Sequence, residues 1–417
     1  MRVRALCVAI FACHALPAVA QIDQQRAQQY FKEAQALCER DGGRLWGVSL
    51  CAPIVIGDMR TQTFATSQPA PAAARPQLVG LVNAPIQWGG TTWGAYIWDF
   101  VDNETPRGRN ELFLHELFHG VQPQLGLFVQ AQASEHLDAV DGRYWLRLEW
   151  RALARALRES GEPRRLAVRD ALAFRQARRM LYPGSVDSER GQEITEGLAA
   201  YTGTVLAASS AADAIASARD QLAAAEAQDS FVRTFAYTSG PAYGLLLDAS
   251  SPGWRQKVRG ADDLATLVMR ALAVQPATDA TSSAARYGGP ELRASEQQRA
   301  HERQERVAEL RRRFVDGPVL LISGGGSGSF DSRGAVAIPG VGTVYFGAYR
   351  FAGNAGTLEA QTGVLVETDS GSRRVPAPVR RDEVTFAGDG WTFKAAPGWV
   401  VREGARRGDY EVVRQQP

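Results

Sequence analysis

The segment His115-Glu116-Leu117-Phe118-His119 constrains this chain more than any other. Two imidazoles four residues apart stand one above the other only on an α-helix, where both can reach a single metal ion. Glu116 lies about a third of a turn round from His115, close enough to handle a water held by that metal without ligating it. The segment is therefore predicted to be helical. Thr105-Pro106 or Asn110 supplies its start. It must stop near Gly120, because Pro123 disfavours helix at Gln122.

The rest of the pattern predicts an α+β protein. Residues 22–40 read as one helix with Ile22, Ala27, Tyr30, Phe31, Ala34 and Leu37 on one side, ended by Gly42-Gly43. Strand-like sequence follows at Trp46–Ile56, Gln62–Thr66, Gln77–Asn83 and Thr92–Phe100, interrupted by a loop at Pro69–Pro76. From Thr105 to Arg313 the periodicity is helical, and strands followed by helices is an α+β order. Arg147, Arg151, Arg155 and Arg158 form a stripe that is either an anionic docking site or a solvated helix face. The Ala-rich stretch 206–228 reads as a plain surface helix, 274–289 as a loop and 291–314 as a charged connecting helix. After Gly317, short strands at Val319–Ile322, Gly334–Ile338, Thr343–Phe351, Gly363–Thr368, Val384–Phe386 and Tyr410–Val413 suggest a separate all-β sandwich or barrel. Gly324–Gly328 is read as a flexible turn, since no Gly-Lys-Ser/Thr follows it. With 417 residues the chain is too long for one core. The expected division is 1–20, 21–315 and 316–417.

The first twenty residues have the pattern of a secretory signal. Arg2 and Arg4 precede an apolar run from Ala5 to Leu16, and Ala18-Val19-Ala20 is a small-x-small site. Cleavage after Ala20 is expected, with a lipoprotein cut before Cys13 as the alternative. The protein is then exported, periplasmic or extracellular. Cys38 and Cys51 would be the cysteines that remain, either paired, as oxidising compartments favour, or held as two buried thiols. A formal net charge of +2 suggests no nucleic-acid partner, and no later segment reads as an integral membrane span. Nothing in the sequence specifies an oligomeric state.

Catalytic zinc takes three protein ligands and keeps one position open. The metzincin continuation would need a glycine at position 122 and a histidine at position 125, where Gln122 and Leu125 stand. His136 is one possible third ligand. Another lies in Glu193-Ile194-Thr195-Glu196-Gly197-Leu198-Ala199-Ala200-Tyr201, which resembles the "(N/E)EG(L/F)A" helix of gluzincin metallopeptidases, especially the aminopeptidase-type members. The resemblance implies Glu196 as the ligand, with Glu193 as fallback or supporting group, and Gly197 as the point where this helix approaches the motif helix. Tyr237-Thr238-Ser239-Gly240, followed by Tyr243-Gly244-Leu245-Leu246-Leu247-Asp248, resembles the "YxxG…LL" segment of the same group. By that resemblance the Tyr237 hydroxyl donates to the developing oxyanion. The likeness covers roughly residues 80–250. It departs from the family in a much longer spacer between His119 and Glu196, in Ala200 where thermolysin-like enzymes carry an aspartate, and in lacking Gly-Ala-Met-Glu-Asn.

These residues imply a zincin-like catalytic domain, with an N-terminal mixed sheet and a helical second part, followed by the small all-β domain. The expected activity is a zinc-dependent peptidase that hydrolyses peptide bonds with a zinc-bound water. Zinc would be held by His115, His119 and Glu196, with Glu116 as general base and Tyr237 assisting. Its partner is a peptide or protein substrate, and no cofactor beyond Zn2+ is implied. By the same likeness, Thr91–Trp98 is the edge strand that pairs with extended substrate. Trp88, Trp93 and Trp98 either pack in the core or touch substrate. Two other readings stand beside this one. One is a zinc hydrolase of another amide or ester, such as a cell-wall peptide linkage; the other is a non-catalytic pseudo-peptidase whose C-terminal β domain binds a partner or glycan. The intact Glu116 speaks against the last.

Overall fold

The computed structural model describes residues 22–58, 61–72, 82–130, 132–330 and 334–415. The signal segment 1–20 and most of the expected strand Gln77–Asn83 lie outside them. Backbone contacts divide the chain into two compact units, with the division between Ala294 and Ser295. The first mixes helix and sheet and the second is dominated by strands, so the protein is α+β with an all-β C-terminal region.

Helix α1 (Gln24–Asp41) starts where the Asp23 carboxylate accepts from the Arg26 amide and ends at Gly42, whose φ of 55° is the left-handed conformation that glycine adopts freely. Its Ala27, Tyr30, Phe31 and Ala34 are buried. Cys38 in its last turn is bonded to Cys51, with 5.2 Å between the Cα atoms. Most of the expected strand Trp46–Ile56 is therefore a turn-rich segment pinned to α1. Gly47 within it has φ 77°, following Gly42 and Gly43 at positive φ just before it, and β1 occupies only Ile54–Asp58.

Strands β1, β2 (Thr63–Thr66), β3 (Ala84–Trp88) and β4 (Thr91–Ile97) form a sheet in the order β2-β1-β4-β3. β1 runs parallel to β4, and the other pairs are antiparallel. β3 and β4 form a hairpin through Gly89-Gly90, both at positive φ as a two-residue turn requires. This order corrects the sequence expectation for Thr91–Trp98. β4 is hydrogen-bonded on both sides, and among the described residues the edges are β2 and β3. Trp98 leaves the strand to begin α2 (Trp98–Asn103). Trp88, Trp93 and Trp98 are all buried and serve the core.

Helix α3 (Pro106–Val121) carries the motif. Thr105 caps it by accepting from the Gly108 amide at 3.0 Å, and Pro106 fits the first turn. Phe113, Leu114, Leu117 and Phe118 are buried, as befits a helix enclosed on most sides. The Tyr96 hydroxyl donates to the Phe113 carbonyl at 2.8 Å and ties the helix to β4. There follow α4 (Val140–Arg158), α5 (Gly161–Leu181), α6 (Val186–Gln192), a π-helical turn (Glu193–Gly197), α7 (Leu198–Ala207), α8 (Ala211–Ala225) and α9 (Phe235–Ser250). Among the described residues no helix is long and apolar enough to cross a membrane.

Close helix crossings depend on glycine. A Cβ on Gly203 would lie 2.5 Å from the Glu111 carbonyl, so Gly203 brings α7 against α3. Gly197 faces α9 instead, where a Cβ would meet the Gly240 Cα at 3.1 Å. The expectation that Gly197 serves the motif helix is thus corrected. α8 is also more than a surface helix, because Ala214, Ala218, Leu222 and Ala225 are buried in the main core. Half of the arginine stripe is held internally, since Arg147 and Arg151 both reach Glu226, at 2.9 and 2.7 Å, whereas Arg158 is exposed as a solvated face would have it.

In the second unit, strands form a six-stranded and a seven-stranded sheet among the described residues. Their shared core includes Leu320, Ile322, Phe351, Leu358, Trp391 and Phe393. The predicted strand Thr343–Phe351 is two strands, Gly342–Tyr345 and Tyr349–Gly353, in different sheets. The chain turns between them at Gly347, φ 78°. Part of the predicted glycine-rich turn is a strand too: Gly326–Ser329 pairs with Tyr349–Gly353. Leu310 and Phe314 pack with Ile338, Val344 and Leu365 in a second cluster.

Candidate metal centre

His115 and His119 project from one face of α3, and Glu196 meets them from the π-helical turn. The two Nε2 atoms are 3.0 Å apart, and each lies 3.3 Å from Glu196 Oε2. A tetrahedral ion with bonds of about 2.0–2.1 Å would hold its ligand atoms about 3.3–3.4 Å apart, so the two edges to Glu196 match such an ion and the edge between the histidines is a few tenths of an ångström short. Among the described residues these three form the group able to hold a metal ion. Two neutral imidazoles and one carboxylate would leave a divalent ion held there with net positive charge.

The π-helical turn decides which glutamate arrives. Glu193 and Glu196 would share a face of an ordinary α-helix, but the wider π pitch turns them further apart. Glu196 reaches the histidines. Glu193 is fully buried and paired with the guanidinium of Arg175, 2.8 Å from Oε2 to Nη1. His136 is not beside the pair either, since its Nε2 contacts Glu189 at 2.8 Å.

Local electrostatics differ from one group to the next. Burial pushes the Glu116 carboxyl up to about 7. It also lowers the basicity of His115, despite a hydrogen bond to Glu196. For His119 burial acts in the same direction, but the hydrogen bond and charge of Glu196 outweigh it and raise the pKa. Burial opposes ionisation of Glu196, yet hydrogen bonds with His115, His119 and Tyr237 hold its carboxyl well below the usual range. The Tyr237 ring stacks on His115 with centroids 5.1 Å apart and planes 10° from parallel. Its hydroxyl pKa is raised by burial and by the neighbouring Glu196 carboxylate, and the residue remains partly open to solvent.

Beside His115 and Glu116 opens a cleft of about 660 Å³. Leu112, Ala200, Ala225 and Tyr237 line it, with the amides of Gln221 and Gln228 among its polar groups. Glu111 also faces it but is occupied by Arg107 at 2.9 Å and Gln221 at 3.0 Å. Ala200, at the position where the resemblance would place an aspartate, is part of this wall and does not orient a histidine.

The long spacer between the ligands builds a buried ionic brace. Glu149 of α4 accepts from Arg175 at 2.8 Å, Arg178 at 2.7 Å and the Tyr243 hydroxyl at 2.7 Å. Arg178 also reaches Glu189 at 2.7 Å, and Arg175 joins this set to Glu193. Burial works against ionised Glu149 and Glu189, but the arginines keep both carboxyls below their ordinary value. At Glu193 burial wins and the value is raised.

Sequence reasoning missed Gln122, whose buried amide touches His119 and the π-helical turn. Its signal was present: a polar side chain three residues after His119, on the same helix face. In comparison with known proteins, no family model, no curated protein and no solved structure matches this chain.

Proposed function

We propose that this chain is an exported zinc-dependent peptidase of gluzincin type, with the mixed sheet and helices of the first unit as a zincin-like catalytic domain. One observation carries the reading: the near-equilateral triangle of His115, His119 and Glu196 donor atoms, with Glu116 beside it at the wall of an open cleft. His115, His119 and Glu196 would hold Zn2+, which supplies Lewis acidity toward a water and a substrate carbonyl.

The chain's own residues carry the proton and position the substrate. Glu116 takes a proton from the attacking water and returns it to the leaving amine, a task suited to a carboxyl whose burial places it near neutrality. Tyr237 lines the same cleft, and its hydroxyl, near Glu196 in the free protein, would turn to donate to the oxyanion that forms as the carbonyl is attacked. The cleft accommodates a peptide or protein segment. The Cys38–Cys51 disulfide and the signal-like N-terminus support export.

The test compares wild type with Glu116→Gln for bound metal and for hydrolysis of unfolded casein. One zinc per chain is expected in both proteins, with activity reduced about 10²–10⁴-fold in the variant. Zinc-free wild-type protein, or equal activity in the two, would overturn the proposal.

A further inference from the structure

We infer that Gln122 is the positioning residue of the metal centre: one amide sets the tautomer of His119 and anchors the turn that carries Glu196. The inference deepens the metallopeptidase reading and rests on it.

Neighbouring atoms determine which way the amide faces. On one side lie the carbonyls of Ile194 and Thr195, at 3.0 and 2.8 Å. A carbonyl oxygen only accepts, so the NH2 group must face that side. The Gln122 oxygen therefore faces His119 Nδ1, 2.7 Å away. An amide oxygen also only accepts, so Nδ1 carries the hydrogen. In neutral His119 the remaining nitrogen, Nε2, then has its lone pair bare, and it is the atom that converges with His115 and Glu196.

The same amide fixes the other ligand. Ile194 and Thr195 belong to the π-helical turn, and Glu196 follows directly. His119 and Glu196 are 77 residues apart in sequence. Gln122 bridges that separation with a single side chain at the C-terminal end of α3. Thr195 adds a second tie to the same turn. Its hydroxyl donates to the Val129 carbonyl at 2.7 Å and accepts from the Val129 amide at 3.0 Å. Gln122 has no solvent exposure, so loss of its amide would take from two buried carbonyls the donor that ties them to α3 and leave the His119 ring free to choose its tautomer. The orienting group thus comes from the motif helix itself, while Ala200 lines the cleft.

The experiment compares wild type, Gln122→Leu and Gln122→Glu. Zinc affinity is measured by competition with a chelating dye. The His119 tautomer is read by 15N NMR of metal-free protein at alkaline pH. Wild type is expected to show the Nδ1–H form. Gln122→Leu should populate the Nε2–H form and bind zinc about 10–100-fold more weakly. Gln122→Glu should keep the Nδ1–H form, because a carboxylate still accepts, yet lose about tenfold in affinity for want of the amide donors. An Nε2–H tautomer in wild type, or affinities within about twofold in all three proteins, overturns the inference. If Gln122→Leu does not fold, the wild-type tautomer and the isosteric Gln122→Glu still decide it. Failure of wild type to bind any zinc would refute the peptidase reading, and the tautomer in metal-free protein would still judge the role of Gln122.

Discussion

Glu193 and Glu196 lie three residues apart on one stretch of helix and occupy opposite environments. Glu193 has a side chain with no exposure, enclosed with Glu149 and Arg175, whereas the Glu196 side chain is 28 % exposed and faces two imidazoles beside the cleft. In the brace around Glu193, carboxylates meet guanidinium groups whose charge offsets theirs. Around Glu196 the neighbours are two imidazole nitrogens, which carry a full charge only when protonated, and Tyr237. The first arrangement satisfies its own charges, and the second leaves a converging set of donors that an external cation would complete. A buried ion set of the first kind holds shape, and a donor triangle of the second kind is chemically available.

This contrast can be broken experimentally. The largest effect should come from Glu196→Ala, with zinc binding and casein hydrolysis lost. The metal-free protein should lose less stability than a break in the brace causes, because Glu196 is no part of that buried ion set. A large fall in the metal-free unfolding midpoint would show that Glu196 is structural as well.

Arg178→Met should give the mirror image. Removing one partner from a buried ion set leaves Glu149 and Glu189 with charge that Arg175 and Arg179 offset only in part, so the urea midpoint should fall by an amount corresponding to about 3–5 kcal/mol. Any protein that still folds should retain its zinc stoichiometry. Loss of zinc at unchanged stability would join the two regions that are here kept separate.

The smallest effect concerns acid. Glu149 and Glu189 have folded-state values below the ordinary 4.5, so their contribution is fully present above that value. It is lost as pH falls through the folded values. Glu193, whose folded value is raised, works in the opposite sense and offsets part of it. Metal-free wild type should therefore lose stability as pH drops below about 4.5. Glu189→Gln, already less stable at neutral pH, should show a flatter acid limb in urea midpoints. An unchanged limb in the variant would remove Glu189 from the account.

The local parts of this architecture were legible in the sequence. The spacing of His115 and His119, the Thr105-Pro106 start and the Gly42 stop are read within a turn or two of chain, where propensity and capping act. Cys38 and Cys51 offered a pairing through their number and the expected compartment. The Glu-Gly-Leu-Ala setting of Glu196 pointed to it by resemblance, and the structure brings that carboxylate to the histidines. Other features depend on partners far away in sequence. β4 reads as any amphipathic strand, and only its pairing with β1 and β3 shows that it is internal. Gly197 and Gly203 look equivalent along one helix, but the elements they admit are α9 and α3. The stripe Arg147, Arg151 suggested an exposed face until Glu226, some 75 residues on, was seen to hold it.

By itself, then, the sequence determined a helix with two imidazoles on one face and an acidic side chain beside them, because α-helical geometry repeats every few residues. Tertiary structure decided which glutamate joins them and which atom of His119 points at it. A widened π turn separates Glu196 from Glu193, and the Gln122 amide bridges to that turn. Both depend on contacts between segments more than 70 residues apart, a distance over which local periodicity carries no information.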